Sequence, residues 1–198
     1  MPQFDFTETL VFENDRVRLE PLQSKHFNDL LPICLEAPNL LQYSPSAFGT
    51  EEYLKHYIDS ALSGREQQQR YPFITFDKQT QSYVGSTSFG NVVNAHQRLE
   101  IGWTWLAPSV QRTGLNRKVK FLQLSYAFEE LNFARVEFKA DARNEASRRA
   151  MEGIGATYEG TLRSHTLMRD GFRRDTVYYG ILAEEWPRIK EERFSQLG

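Results

Sequence analysis

The feature that most constrains the fold is a short polar loop between an aromatic extended run and an amphipathic segment. The run Arg98 to Leu106 ends before Pro108, which predicts a strand. The loop Gln111 to Asn116 follows, and apolar side chains then recur at helical spacing as far as Leu131. Strand, loop and helix in this order predict a crossover between parallel strands, so we expect a sheet covered by helices.

Periodicity along the rest of the chain predicts a mixed α/β domain in the order β-α-α-β-β-β-α-β-α-β-β-α. The predicted strands span about residues 16–22, 71–76, 83–93, 98–106, 135–140, 158–168 and 176–182. The predicted helices span about residues 24–36, 50–64, 115–131, 145–154 and 184–194. Without a linker or a repeat, residues 1–198 are expected to form a single domain.

Composition excludes several classes of protein. A net charge of -2 with scattered basic residues gives no basis for a nucleic-acid partner. Cys34 is the only cysteine, so no intrachain disulfide can form and a reducing compartment is expected. No apolar run is long enough to span a membrane, and the first residues lack a signal-peptide pattern. We therefore expect a cytoplasmic protein without a membrane partner.

The loop has the properties of an anion site. Backbone N–H groups at the start of a helix lack partners and lie at the positive end of the helix dipole. Arg112, Arg117 and Lys118 add positive charge. A Walker loop is excluded because Asn116 to Lys118 replaces its Gly-Lys-Ser/Thr ending. A dinucleotide fingerprint is weak because Gly114 is the only glycine of the loop.

The loop instead resembles the signature of the GNAT superfamily of acyl-CoA-dependent N-acetyltransferases, Gln/Arg-x-x-Gly-x-Gly/Ala. Gln111, Gly114 and Asn116 occupy its marked positions. Asn116 replaces the usual small residue, and we expect the turn to survive because Asn tolerates a left-handed backbone. Over residues 15–190 the chain resembles the RimJ/RimL-type branch. The motifs that carry this are Asn144–Ser147, Gly155–Arg163, Asp170–Asp175, Tyr178, Ile181 and Trp186.

The resemblance implies a mixed, mostly antiparallel sheet with splayed central parallel strands, flanked by helices. It implies acetyl-CoA as co-substrate, with the pyrophosphate on the loop N–H groups and the pantetheine arm along the preceding strand. Asn144 would hydrogen-bond that arm, unless it is only a helix cap. The cofactor-binding residues implied in this way are Thr104, Trp105, Leu106, Gln111, Arg112, Thr113, Gly114, Leu115, Asn116, Arg117 and Asn144.

Two residues are the catalytic candidates. By resemblance, Glu100 would deprotonate the amine through water, and its alternative role is a strand carboxylate paired with Arg98. Ser147 would donate a proton to the leaving thiolate, or else is a plain solvent serine. Many relatives use a Tyr two turns into this helix, where the present chain has Met151.

Tyr43 and His165 are the candidates for substrate binding, with a structural strand histidine as the alternative for His165. Of the strand aromatics, Trp105 is expected to contact a pocket, whereas Trp103 is expected in the core. The aperiodic segment Leu40 to Gly49 would set acceptor choice. No metal is expected, because the histidines have no ligand spacing.

The resemblance thus predicts an N-acetyltransferase that moves an acetyl group to a primary amine in a ternary complex. The acceptor would be a protein or peptide N-terminus or a small amine, and family relatives are often dimers. Two alternatives stay open: a non-catalytic acyl-CoA-binding sensor or accessory protein, and a nucleotide-binding interaction module.

Overall fold

A computed structural model describes residues 2–195, which form one eight-stranded sheet flanked by helices. The strands are β1 Phe12–Glu13, β2 Val17–Pro21, β3 Arg70–Asp77, β4 Ser82–Val93, β5 Arg98–Leu106, β6 Arg135–Asp141, β7 Thr157–Leu167 and β8 Arg173–Leu182. The helices are α1 Phe27–Glu36, α2 Glu51–Glu66, α3 Leu115–Ser125, α4 Glu145–Gly153 and α5 Trp186–Ile189. A π-helical turn extends α3 to Glu130, and another extends α5 to Phe194.

The strand order is β1-β2-β3-β4-β5-β6-β8-β7. Every neighbouring pair is antiparallel except β5 and β6, which are parallel and joined by the crossover through α3. The mixed, mostly antiparallel sheet predicted from the resemblance is therefore confirmed. The short β1 is an addition that the sequence did not predict.

Helices cover both faces of the sheet. Helices α1 and α2 pack on one face in a cluster that includes Leu30, Ile58 and Trp105. Helices α3, α4 and α5 cover the other face together with Phe89 and Leu99. Thr50 begins α2 by accepting a hydrogen bond from the N–H of Tyr53 at 3.1 Å, as its position predicted. No helix within residues 2–195 has the length and apolar character needed to cross a membrane.

The centre of the sheet splays open. Strands β5 and β6 pair only over Arg98–Glu100 and Arg135–Glu137, and then diverge. Ser88 of β4 pairs with Gly102 of β5, and Ser86 pairs with Trp105. Between these two pairs β5 has one residue more than β4, which is a bulge. Trp103 is that extra residue, with a φ of 50°. From Ile101 onward, β5 has a strand neighbour only on its β4 side.

The bulge corrects the expectation for the two tryptophans. Trp105 is 4% exposed and packs against Phe48, with ring centroids 5.0 Å apart. Trp103 is 37% exposed, and it needs Gly90 beneath it because an added Cβ there would lie 2.4 Å from its ring. The extra residue breaks the alternation of β5 and leaves both tryptophans on the face that α2 covers. Phe48 and Tyr57 cover Trp105 there, whereas Trp103 lies over Gly90 and stays partly exposed.

Candidate functional site

The first component of the site is the open edge of β5. Trp105 and Leu106 pair with Ser86 and Gly85 of β4, and no strand pairs with them on the other side. An unpaired strand edge can receive an extended ligand through main-chain hydrogen bonds. Thr104, Trp105 and Leu106 lie on this open edge, and their role in binding a cofactor stays a prediction.

The second component is the loop that leads from β5 into α3. The left-handed residues are Arg112, with a φ of 62°, and Gly114, with a φ of 86°. Asn116 lies inside the first turn of α3, so the expectation that the turn depends on its left-handed backbone was wrong. The N–H groups from Arg112 to Asn116 make no hydrogen bond within residues 2–195, whereas the N–H of Arg117 donates to Gly114 O at 3.0 Å.

Side-chain hydrogen bonds hold the loop in place. Gln111 Nε2 donates to Leu106 O at 2.9 Å, and Thr113 Oγ1 donates to Val110 O at 2.7 Å. Arg16 donates to Thr113 O at 3.2 Å. This long-range contact was not predicted from the sequence. Arg112 and Arg117 are exposed, and neither forms an ion pair with another described residue. Lys118 forms an ion pair with Asp15, with its Nζ 2.7 Å from Asp15 Oδ2.

Glu100 is buried on the face of the sheet that α2 covers. Its Oε2 accepts hydrogen bonds from Asn91 Nδ2 at 2.6 Å and from Lys139 Nζ at 2.7 Å. The ion-pair partner is therefore Lys139 and not Arg98, which pairs with Glu137 at 3.3 Å. Burial opposes the charge on Lys139, but the negative charge of Glu100 outweighs it and raises the Lys139 pKa.

A cavity of about 870 Å³ is lined by residues that contact Glu100, although Glu100 itself is not part of the lining. Its lining includes both partners of Glu100, Asn91 and Lys139, together with Arg70, Trp103 and Tyr178. A second cavity, of about 530 Å³, is lined by Pro45, Ser46 and Ala47 from the segment between α1 and α2. The two cavities share Ser60 and Arg70. The segment expected to set acceptor choice thus borders this face.

The other catalytic candidate lies on the opposite face, where α4 packs on β6 and β7. Asn144 Oδ1 accepts a hydrogen bond from the N–H of Ser147 at 3.0 Å, so Asn144 caps α4. The Ser147 hydroxyl is half-buried and bonds to no described residue. Met151 is buried in the core and offers no proton. Glu100 and Ser147 therefore lie on opposite faces of the sheet.

The two substrate-binding candidates lie outside both cavities described above. Tyr43 O accepts a hydrogen bond from Arg174 Nη1 of β8 at 2.9 Å, which ties the α1–α2 segment to the sheet. His165 is exposed on β7, and its Nδ1 lies 3.0 Å from Thr176 Oγ1. Its ring centroid lies 6.0 Å from that of Tyr178, which lines the larger cavity.

Lys120 is a feature that the sequence reasoning missed. It lies on the sheet-facing side of α3, fully buried, with Nζ 2.7 Å from Thr104 Oγ1, 3.1 Å from Thr87 Oγ1 and 3.1 Å from Gln123 Oε1. Burial lowers the pKa of Lys120 to about 7. The available signal was a lysine between Val119 and Phe121, within the wide apolar face of this helix.

No cluster of three or more His, Cys, Asp or Glu side chains suited to a metal ion occurs in the described part of the chain.

Comparison with known proteins gives consistent matches. The acetyltransferase (GNAT) domain family matches residues 16–157. A Bacillus subtilis protein named "Putative ribosomal N-acetyltransferase YdaF" is 36% identical over 105 residues, which cover 53% of this chain and 56% of that protein. The chain thus spans about half the length of this curated relative.

Solved structures match over most of the chain. A GCN5-related N-acetyltransferase from Brucella melitensis has a TM-score of 0.87 and 27% identity, covering 96% of this chain and 86% of that one. RimJ of Mycobacterium smegmatis, solved in complex with CoA-disulfide, has a TM-score of 0.74 and 23% identity, covering 86% and 84%. At 23% identity, the match to RimJ shows a similar fold and nothing beyond it.

Proposed function

The chain belongs to the GNAT acetyltransferase family, and on this premise we propose that it transfers an acetyl group from acetyl-CoA to a primary amine. One observation carries the proposal: the open edge of β5 leads directly into a loop whose N–H groups, from Arg112 to Asn116, have no partner among residues 2–195. An open strand edge followed by a loop with free N–H groups suits a ligand with an extended amide arm and a pyrophosphate.

The chain's own residues supply the groups that would hold this co-substrate. The pyrophosphate would accept hydrogen bonds from the loop N–H groups, with charge supplied by the side chains of Arg112 and Arg117. The arm would pair with the backbone of Thr104 to Leu106. The Asn144 side chain would bind the arm through its amide nitrogen, because its Oδ1 is engaged in capping α4.

The transfer requires an amine that has lost its proton and a carbonyl that can bear negative charge. The amine nitrogen attacks the thioester carbonyl carbon, and its proton passes through water to the Glu100 carboxylate. Both contacts of Glu100 use Oε2, while Oε1 lies beside Gly102. A β5 N–H stabilises the developing oxyanion. The C–S bond then breaks, and Ser147 or water protonates the thiolate.

We propose an N-terminal amine of a protein or peptide as the acceptor, with small amines as the second class to test. The support is the name of the Bacillus subtilis relative, which refers to a ribosomal N-acetyltransferase. The α1–α2 segment supplies Pro45, Ser46 and Ala47 to the smaller cavity, where it can select among acceptors.

The test is incubation with acetyl-CoA and a panel of peptides and amines, with release of free thiol as the readout. Glu100→Gln and Ser147→Ala are expected to slow turnover while CoA affinity, measured by calorimetry, stays unchanged. CoA binding without turnover on any amine would favour the non-catalytic sensor. Displacement of CoA by ATP would favour the nucleotide-binding module, and absence of CoA binding would refute the proposal.

A further inference from the structure

Arg70 is the first residue of β3, and its buried side chain lines both cavities. It is 7% exposed. Its Nε donates to Ser88 Oγ at 2.9 Å, and its Nη2 donates to the Tyr57 hydroxyl at 2.8 Å. Both partners are neutral, and Nη1 donates to no atom of residues 2–195. The side chain is therefore held in place without being neutralised.

Aromatic rings fix its orientation further. The Arg70 Cζ lies 5.1 Å from the ring centroid of Tyr57 and 5.1 Å from that of Trp103. No carboxylate in the described part of the chain forms an ion pair with it. A buried cation without a counter-charge is costly to a fold, and such a group is usually paired or binds a ligand.

The other cations of the larger cavity are already neutralised. Arg98 pairs with Glu137 at 3.3 Å, and Lys139 pairs with Glu100 at 2.7 Å. Arg70 is therefore the lining cation with capacity for an added anion. It shares this cavity with Asn91 and Lys139, the two residues that hold Glu100. A ligand bound here would meet Arg70 on one side and, on the other, the two residues through which Glu100 borders the cavity.

We propose that the acceptor amine carries a carboxylate, and that Arg70 binds it while Glu100 takes the proton from the amine. This inference rests on the acetyl transfer proposed above. One guanidinium matches the single charge and planar shape of a carboxylate. A doubly charged phosphate fits less well, because Glu100 and Glu137 lie close by. The carboxylate can be that of a free amino acid or of an acidic side chain near a peptide N-terminus.

The experiment compares acceptors with and without this charge, and kcat/KM is referred to the concentration of each amine in its neutral form. One arm pairs free amino acids with their primary amides, and the other pairs peptides carrying Asp or Asn at the second position. We expect the acids to exceed their neutral partners by on the order of 10- to 100-fold in kcat/KM, as for hydrogen bonds to charged groups. The set of acceptors that shows the preference, amino acids or peptides, identifies the source of the carboxylate.

Variants assign the preference to Arg70. In Arg70→Met the acid and the neutral partner should react within about 2-fold of each other, and Arg70→Lys should keep part of the preference. Arg98→Gln is the control, because Arg98 lines the same cavity but is already paired. Equal use of acids and amides by the wild-type protein would overturn the inference and leave acetyl transfer standing.

A binding measurement separates this inference from the proposed function. N-acetyl amino acids and their amides are titrated into the CoA-loaded protein, following the fluorescence of tryptophan. Selective binding of the acids, lost in Arg70→Met, supports the carboxylate site even where no amine is acetylated. Failure of both acids and amides to bind, or equal binding of the two, refutes it. If Arg70→Met does not fold, the wild-type acid-to-amide ratio and Arg70→Lys decide the outcome.

Discussion

At the scale of single residues, the position of one carboxylate oxygen decides what Glu100 can do. Oε2 is fully engaged by Asn91 and Lys139, so Oε1 is the atom that can meet a water or an amine. Gly102 lies directly beside it, and an added Cβ there would be 3.0 Å from Oε1. The absence of a side chain at residue 102 therefore leaves room for proton transfer.

Gly102→Ala is expected to lower kcat by roughly 10-fold or more, because a small displacement of a catalytic group is costly. CoA affinity should not change. Gly153→Ala is the matched control, since no atom lies within 4 Å of an added Cβ there. Steady-state kinetics with the best acceptor makes the measurement, and an unimpaired kcat in Gly102→Ala would argue against Glu100 as the base.

Lys120 makes stability depend on pH. Its pKa is about 7 in the folded protein and near 10.5 in the unfolded chain. Between these values the unfolded chain binds more protons, so the free energy of unfolding rises with pH in this window. Below pH 7 both states are protonated and this contribution is constant.

From pH 7 to pH 9, this shift corresponds to a gain on the order of 2 kcal/mol in the free energy of unfolding. Lys120→Met should abolish that gain, whereas Lys55→Met, at an exposed lysine, should keep it. Urea unfolding at both pH values is the measurement. An identical pH response in wild type and Lys120→Met would contradict the expectation.

At the scale of elements, the loop before α3 depends on backbone conformation more than on side-chain space. Gly114 has a φ of 86°, and an added Cβ would meet no atom within 4 Å. A substitution there therefore acts by disfavouring the left-handed conformation, at about 1–2 kcal/mol. Gly114 therefore helps to aim the N–H groups that would face a pyrophosphate, together with the left-handed Arg112.

Gly114→Ala is accordingly expected to weaken CoA binding by roughly 5- to 30-fold, the equivalent of that backbone cost. Gly171→Ala provides the comparison, because Gly171 has a φ of 82° and equally open surroundings but lies in the β7–β8 turn. Calorimetry should show weaker CoA binding in Gly114→Ala alone. A similar loss in both variants would indicate a general effect on stability.

The strand β5 shows where prediction from sequence succeeds and where it fails. Its bounds, Arg98–Leu106, were predicted correctly because an aromatic run ends at Pro108. The exchange of roles between Trp103 and Trp105 was not predicted, because the bulge puts both rings on the α2 face and the residue that buries Trp105, Phe48, is distant in the sequence. Gly90 and Gly102 are the only traces of the bulge in the sequence, and periodicity does not reveal them.

At the scale of the whole molecule, the order of elements followed from local patterns, whereas the contacts of the site did not. Lys139 meets Glu100 from a different strand, and Arg16 supports Thr113 across almost a hundred residues of chain. Local periodicity carries no information about such pairs. The candidate residues were therefore predicted by resemblance, and their partners became visible only in the fold.

Arg174 connects distant parts of the chain by donating to Tyr43 O at 2.9 Å. Arg174→Gln should release the α1–α2 segment and raise the KM for the acceptor by roughly 10-fold, about the value of a charged hydrogen bond. The affinity for CoA should remain. Arg173→Gln, which loses only an exposed contact with Ser164, is the control. An unchanged acceptor KM in Arg174→Gln would show that the α1–α2 segment keeps its position without the hydrogen bond from Arg174.

In the described part of the chain, three residue pairs join the halves of the sheet, β1 to β5 on one side and β6 to β8 on the other. In the free protein, the amides of β5 beyond this short seam should exchange with deuterium faster than those of β4. A ligand arm that occupies the open edge would supply the missing neighbour and slow their exchange. Cooperativity between the two half-sheets would then depend on the ligand, since the arm itself acts as a strand.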